Sequence, residues 1–380
     1  MSELFSETSV LVLALRDLAL LDKACEALAR RPGTRIHALV GIDPKFVRRS
    51  RWTASIVTLP FDSYTDEQAV NAINETISSV EARVILPVAI DDVAFVSKYR
   101  HQLDVAATCV AVPSPELLDK VANKLHFSLF AKSLDMPIPL TIEVTADLKI
   151  SEVTALLAYP FLAKPTVSAA GEGVRFIKSD AELVAFLGVS RNPESMMLQE
   201  WVEGEDVALT LLASEGDVFA VMMRKRWFTR RCAPVFSPIR DVEFFQCDWL
   251  EELGRKFVKA THFSGIADFD LKVDFKTKRA WFLEADPRLM GGTDGAMLFG
   301  MNVPSLLVDH ALGKLSTGEC RRADLGYFLS SGSLAEWTLR ESWRQPRWGK
   351  IRTNLFSQLA DPATFVARCF HKKSKRREIA

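Results

Sequence analysis

The sequence predicts a parallel-sheet α/β domain followed by a two-lobed α+β unit. Three observations carry this. Through residue 113, short apolar runs alternate with helical spacings. Ser114-Pro115-Glu116 then places a capping serine, a proline suited to the first helical position and an acid in the first turn, which marks a new unit. From residue 141 strands and helices mix, and two late segments alternate polar and apolar residues with period two.

In order along the chain, Val10–Ala14, Ile36–Val40, Ser55–Leu59, Val84–Pro87 and Cys109–Val112 read as buried strands. Leu18–Arg30, Glu67–Ser79 and Asp92–Arg100 between them carry helical spacing. Strands and helices in alternation imply a parallel sheet covered on both faces, with ligands gathering at the carboxyl ends of the strands. Those ends are Leu15–Asp17, Gly41–Asp43 and Pro87–Asp92. No G-x-G-x-x-G follows the first strand, which argues against a dinucleotide there. Residues 114–190 form the next unit. Its first helix is expected to run through Asn123 and Lys124 to about Leu134, where Pro137 and Pro139 follow. Residues 141–188 read strand–helix–strand–loop–strand–helix. Residues 191–319 form a larger mixed lobe, and 320–380 a helical extension rich in Trp and Arg with a basic tail.

A chain of 380 residues with 48% hydrophobic and 25% charged content can bury two or three lobes. Lys plus Arg and Asp plus Glu both number 48, so no overall field favours nucleic acid or a membrane surface as partner. The six cysteines are scattered without a C-x-x-C pair, which fits a reducing compartment. The acidic start lacks a secretory n-region, and no run approaches the ~20 apolar residues of a spanning helix. A soluble cytoplasmic protein is expected, without a transmembrane segment and without nucleic acid as partner.

The two alternating segments are Asp268–Asp274 and Ala280–Arg288. Paired as a hairpin about Thr277, they set Phe269, Leu271 and Val273 against Ala285, Leu283 and Trp281. On the other face Asp270 opposes Glu284, and Asp268 opposes Asp286. A slip of one residue would oppose Glu284 to Phe269, so the apolar pattern selects the register. Like charges so opposed repel at about 5 Å and call for a counter-cation. A solvated outer face is the plainer alternative.

Other segments carry chemistry in the same two-sided way. Phe161–Lys164 is a strand delivering a lysine, and Ser168–Gly173 a loop of small residues. Gly171 and Gly173 permit positive φ, so consecutive N–H groups could cradle phosphate, or the segment is a plain hairpin loop. Glu200-Trp201-Val202 runs into an acidic turn, with Glu205 and Asp206 placed to grip ribose hydroxyls or simply to make a turn. Lys124 is either surface or a phosphate contact. Arg224–Arg231 is a basic loop or a clamp for an anionic substrate. His371–Arg377 reads as a solvated basic tail, or else as a contact for anionic lipid or polymer. No G-x-S-x-G and no histidine triad spacing support hydrolase chemistry.

In this order the segments resemble the ATP-grasp superfamily, in a single unit of the carboxylate–amine ligase or carbamoyl-phosphate synthetase-like kind. The likeness covers residues ~1–310, with its motifs between 119 and 293. It implies a Rossmann-like pre-ATP-grasp domain over 1–113, a small lobe over 114–190 and a large lobe over 191–319. DKVANK is similar to the segment whose basic residue touches ATP phosphate, here Lys124. FLAKP and the following SAAGEGV resemble the lysine and phosphate lid, giving Lys164, Ser168, Gly171 and Gly173. LQEWVEGEDVAL resembles the adenine linker, giving Glu200, Trp201 and Val202, with Asp206 on ribose and Glu205 its competitor. ADFDLKVD and FLEADPRLMGG resemble the magnesium hairpin, giving Asp270, Glu284 and Asp286 as metal ligands and Arg288 near the phosphates. Lys164 and Arg288 are the implied catalytic groups. The resemblance implies ATP and one or two Mg²⁺, for which Mn²⁺ can substitute. It also implies small-molecule carboxylate and amine substrates joined through an acyl phosphate. A homodimer is the common assembly. Bicarbonate activation and nucleotide binding without turnover are the rival activities. The family usually has Asn where this chain has Asp286.

Overall fold

The computed structural model describes residues 7–103, 107–168, 171–189, 195–228, 239–315, 318–329 and 351–353. The Arg230–Arg231 part of the expected clamp, lid residues 169–170 and the tail His371–Arg377 lie outside them.

The first domain comprises β1 (Thr8–Ala14), α1 (Leu18–Ala29), β2 (Thr34–Val40), β3 (Ser55–Thr58), α2 (Asp66–Ser79), β4 (Val84–Pro87), α3 (Ile90–Tyr99) and β5 (Thr108–Cys109). All five strands are parallel, in the order β3-β2-β1-β4-β5. Every residue of β1 is buried, as a central strand covered on both faces must be. Alternate β1 residues feed different cores. Val10 and Val12 pack toward α1, while Leu11 and Leu13 pack toward Val70, Ile73 and Phe95 of α2 and α3. Helix starts are set by short polar side chains: Asp17 accepts from the Ala19 and Leu20 amides, and Thr65 and Gln68 form a reciprocal cap.

The small lobe holds α4 (Pro115–Val121), α5 (Lys124–Ser133), β6 (Thr141–Glu143), α6 (Ile150–Leu156), β7 (Phe161–Pro165), β8 (Arg175–Ile177), α7 (Asp180–Val189) and β9 (Met196–Glu200). The single helix expected from Ser114 to Leu134 is two. Asn123 turns to an extended conformation and its side chain caps the Leu125 and His126 amides, so Lys124 opens α5. The sheet order β6-β9-β7-β8 places β9 within this lobe, so the sheet boundary follows Glu200 rather than residue 190.

The large lobe comprises β10 (Glu205–Ser214), β11 (Asp217–Phe228), β12 (Ile239–Phe245), α8 (Asp248–Ala260), β13 (Gly265–Asp274), β14 (Arg279–Asp286), α9 (Thr293–Leu298), α10 (Val303–Ala311), β15 (Arg321–Arg322), β16 (Gly326–Leu329) and β17 (Ile351–Thr353). The main path of its sheet runs β14-β13-β10-β11-β12-β16-β17, with β15 beside β11. The described residues of the expected helical extension hold β15, β16 and β17 and no helix.

Period-two alternation gives this sheet its two faces. Val207, Leu209, Leu211, Phe269, Leu271 and Phe282 pack with Phe127 of α5 and Phe257 of α8 in one core. Gly254 lets α8 approach, because a Cβ there would stand 2.7 Å from Leu209 and Leu211. Backbone pins the first domain to the large lobe, where Leu289 N donates to Val88 O at 3.1 Å; within the small lobe Lys124 N donates to Thr166 O at 2.9 Å. The first domain and the large lobe also share one hydrophobic cluster, in which Leu21 and Ala24 of α1 sit with Leu307 and Phe299.

Candidate active site

The opposite face of the large-lobe sheet carries the chemistry. In register, Ala208 pairs with Arg224 on one side and Asp270 on the other, and Asp206 pairs with Lys272. The same parity puts Asp206, Thr210, Arg224, Arg226, Asp268, Asp270 and Lys272 on one face.

Across the hairpin Asp268 opposes Asp286 and Asp270 opposes Glu284, as the alternation predicts. Beyond Asp270 the register shifts: Leu271 opposes Phe282, Val273 opposes Ala280, and Trp281 meets Lys272. The expected Leu271–Leu283 and Val273–Trp281 pairs are thereby corrected. The irregularity keeps both the carboxylates and Phe282 on their proper faces, which a uniform ladder could not.

Each carboxylate is held by a cation. Lys124 Nζ lies 2.8 Å from Glu284, Arg226 2.9 Å from Asp270, Arg224 2.6 Å from Asp268, Lys272 3.0 Å from Asp206 and Arg288 2.7 Å from Asp286. Asp268 also accepts the Thr210 hydroxyl at 2.5 Å, which ties it into the sheet. Glu205 turns away to Lys225 at 2.7 Å, leaving Asp206 as the acid on the site face.

The small lobe closes over this row. Lys124 Nζ also donates to Ser168 O at 2.6 Å, drawing the start of the lid to Glu284. Ser168 Oγ is buried without a hydrogen-bond partner among the described residues, and so is Arg226 Nε. Gly171 and Gly173 have φ of 78° and 75°, the left-handed turn expected of them. In the linker, Trp201 packs on Phe176 with ring centroids 4.9 Å apart, and Lys272 Nζ lies 5.7 Å from its indole. Val202 is buried. Glu200 bonds backbone to Leu140 O at 2.8 Å, and its carboxylate accepts Leu140 N at 3.1 Å. That carboxylate is therefore a brace within the linker.

Electrostatics follow from burial without water. Lys164 is 7% exposed, and burial lowers its ammonium from 10.5 to about 8; Lys124 adds to the drop while Glu284 and Asp270 resist it. Burial raises the Asp270 carboxyl, with Arg226 opposing and Glu284 reinforcing. For Glu284 burial works upward, but Lys124, Lys164 and the hydrogen bond with Asp270 bring it below the ordinary range. The two opposed carboxyls are thus shifted in opposite directions by burial and by unequal cationic partners. Burial pushes Asp286 from 3.8 to about 6 against the pull of Arg288.

Among the described residues no three acidic, histidine or cysteine side chains form a ready metal cage. Asp270 and Glu284 face one another, whereas Asp286 is engaged by Arg288. This donor set still suits Mg²⁺, which takes one or two carboxylates and completes its shell with water and phosphate oxygens. The unpartnered Ser168 hydroxyl and the lysine pair supply what phosphate oxygens need.

Residues 192–330 match the family model described as an ATP-grasp in the biosynthetic pathway with Ter operon. The fold is likewise similar to the biotin carboxylase domain of Hydrogenobacter thermophilus 2-oxoglutarate carboxylase, a dimer in complex with MgADP, ADP and bicarbonate. There the TM-score is 0.64 at 16% identity over 84% of this chain and 73% of that one. The chain has the ATP-grasp fold. An L-amino acid ligase from Bacillus licheniformis superposes with TM-score 0.61 at 16% identity, over 83% and 76% of the two chains. Staphylococcus aureus N5-carboxyaminoimidazole synthetase gives 0.63 at 13%, over 89% and 87%. No curated protein matches in sequence.

Within the ATP-grasp frame, sequence reasoning missed one residue and one pairing. Lys272, which balances Asp206 and covers Trp201, was legible from its parity with Asp270. Arg226, within the expected basic clamp, also pairs with Asp270. At the first domain's strand ends, Asp92 is wholly buried and accepts the Leu15 and Ala89 amides, each at 2.7 Å. Burial raises its carboxyl to about 7. Arg16 bridges Asp62 and Asp91 at 2.5 and 3.3 Å beside a cleft of ≈ 310 Å³. Of the residues after Arg288, Thr293 is buried and donates to Met290 O, while Asp294 pairs with Lys23 of α1 at 3.3 Å. Among the described residues no helix is long and apolar enough to cross a membrane.

Proposed function

We propose that this protein is an ATP- and Mg²⁺-dependent carboxylate–amine ligase that works through an acyl phosphate. What carries the reading is the meeting of Lys124 from the small lobe with Glu284 from the large-lobe hairpin at 2.8 Å, beside buried Lys164. Two lobes thereby offer fixed positive charge and paired carboxylates to one small volume.

Lys124, Lys164, the Ser168 hydroxyl and the Gly171–Gly173 turn would hold phosphate oxygens. Trp201 and Val202 would floor the base, with backbone past Glu200 reading its polar edge. Asp206, released from Lys272, would take the ribose hydroxyls. Asp270 and Glu284, with Asp286 once freed from Arg288, would hold Mg²⁺, which supplies charge neutralisation on the β- and γ-phosphates. Arg288 and Arg226 would orient the substrate carboxylate. Its oxygen attacks the γ-phosphorus as the bond to ADP breaks. The amine then attacks the acyl carbon, phosphate leaves, and the nitrogen gives up a proton. Closure of the lid excludes the water that would hydrolyse the acyl phosphate.

The biotin carboxylase domain and the N5-carboxyaminoimidazole synthetase among the structural relatives favour bicarbonate as a second reading of the same site. ADP and phosphate release from MgATP, assayed with pools of amino acids and organic acids and then with bicarbonate, separates the readings. Release requiring an organic acid and an amine is expected. Bicarbonate-dependent release would transfer the assignment to a carboxylase. Nucleotide binding without release under every condition would overturn both.

A further inference from the structure

A second concave site lies away from the carboxylate row. A groove of ≈ 780 Å³ runs between α8, the β13–β14 turn and the segment after α5. β14 is the edge strand of the large sheet, and Phe282 N reaches across that edge to Pro137 O at 2.9 Å. Trp249, Leu253, Pro137 and Trp281 supply the apolar lining. On α8, Trp249, Leu253 and Lys256 are spaced i, i+4, i+7, so one helix face presents both an indole and an ammonium to the groove.

The charge around the groove is one-sided. Lys256, Lys278 and Arg279 stand around it against Glu252 alone. All three cations are exposed, and none makes an ion pair among the described residues. In the carboxylate row, by contrast, Lys124, Arg224, Arg226, Lys272 and Arg288 are each matched with an acid. Trp249 is half-buried against the large-lobe core and Trp281, opposite Lys272, lines the groove from the sheet edge; neither stacks on another aromatic ring among the described residues.

We propose that this groove binds a planar aromatic anion: an aryl carboxylate, sulfonate or phosphate. Its volume falls in the range of small-ligand clefts, about 300–1,000 Å³. The indoles offer flat apolar surface to a ring, and the cations offer counter-charge to its acid group. An acidic peptide would need cations strung along a track, whereas these converge on a single concavity. The groove abuts Ala280 and Trp281 on the strand that also carries Glu284 and Asp286, yet the proposal does not rest on the ligase reading.

The test uses the full chain labelled with 5-fluorotryptophan, its Trp249 and Trp281 resonances assigned from Trp249→Phe and Trp281→Phe. Naphthalene-2-sulfonate should shift both resonances saturably, and uncharged naphthalene-2-methanol should do so far more weakly. Lys256→Glu combined with Arg279→Glu should weaken the sulfonate about tenfold, two surface attractions having become repulsions. Both substitutions are at exposed positions, and an unchanged circular dichroism spectrum will show that the fold is kept. No shift, equal shifts from the neutral analogue, or undiminished binding by the charge-reversed variant would overturn the proposal. Tighter binding of a tryptophan-containing polyglutamate peptide would overturn it in favour of a protein partner.

Discussion

Lys164→Met tests the electrostatic core of the site. The lysine is buried on β7, and burial takes its ammonium from 10.5 to about 8. At about 1.4 kcal/mol for each pKa step, holding that charge costs the folded state about 3 kcal/mol at pH 7. Between pH 8 and 10.5 the unfolded chain binds the proton and the folded chain does not, so stability rises with pH across that window. Below pH 8 both states are protonated and the cost is fully present. Methionine fills a similar volume without charge. The variant should therefore be about 3 kcal/mol more stable at pH 7 in urea unfolding, and the gap should shrink toward zero by pH 10.5. Titrating groups remote from Lys164 cancel in the wild-type-minus-variant difference; Lys124, Glu284 and Asp270 interact with it and do not. The same substitution should raise the ATP concentration needed for half-maximal turnover. ATP binding to the wild type at pH 9 should take up protons, read as buffer-dependent heat in calorimetry, and the variant should not. A variant no more stable than wild type at pH 7, or a gap constant with pH, would refute the reasoning.

Glu284→Gln should lower ADP release by about 10²–10³-fold, the scale of removing one preorganised charge from a transition state, while circular dichroism stays unchanged; normal turnover would remove Glu284 from the metal site. Asp286 is raised from 3.8 to about 6, so its charge costs stability as pH rises through that interval. Its side chain is 46% exposed, and solvent screening holds the gain from Asp286→Asn to under about 1 kcal/mol at pH 7, detectable as a raised melting temperature that vanishes near pH 4. Gly204 has φ of 156°, and a Cβ there would lie 2.8 Å from Val273 N. Gly204→Ala should cost about 1–3 kcal/mol in denaturant unfolding by forcing the linker off β13; an unchanged midpoint would show that the linker is free to move.

The sequence alone determined what local chemistry and periodicity encode. The β1–β5 alternation with helices followed from apolar runs too short for helices, and the Asp270–Glu284 and Asp268–Asp286 oppositions followed from a two-residue period that tolerates no slip. The left-handed turn at Gly171 and Gly173 was legible because only glycine takes that conformation cheaply. Tertiary structure decided the rest, since it concerns groups far apart in sequence. The break at Asn123 is such a case: a capping side chain competes with helix continuation, and Lys124 N finds Thr166 O in another element. β9 joined the small lobe because its partners are β6 and β7, which no local pattern specifies. The irregular register beyond Asp270 arose because β14 must keep both Phe282 in the core and Glu284 in the site. The match of cations to acids, Arg226 to Asp270 and Lys272 to Asp206, came only with the strand order. Charge type is written in the sequence, but which charge meets which is set by the packing that buries them together.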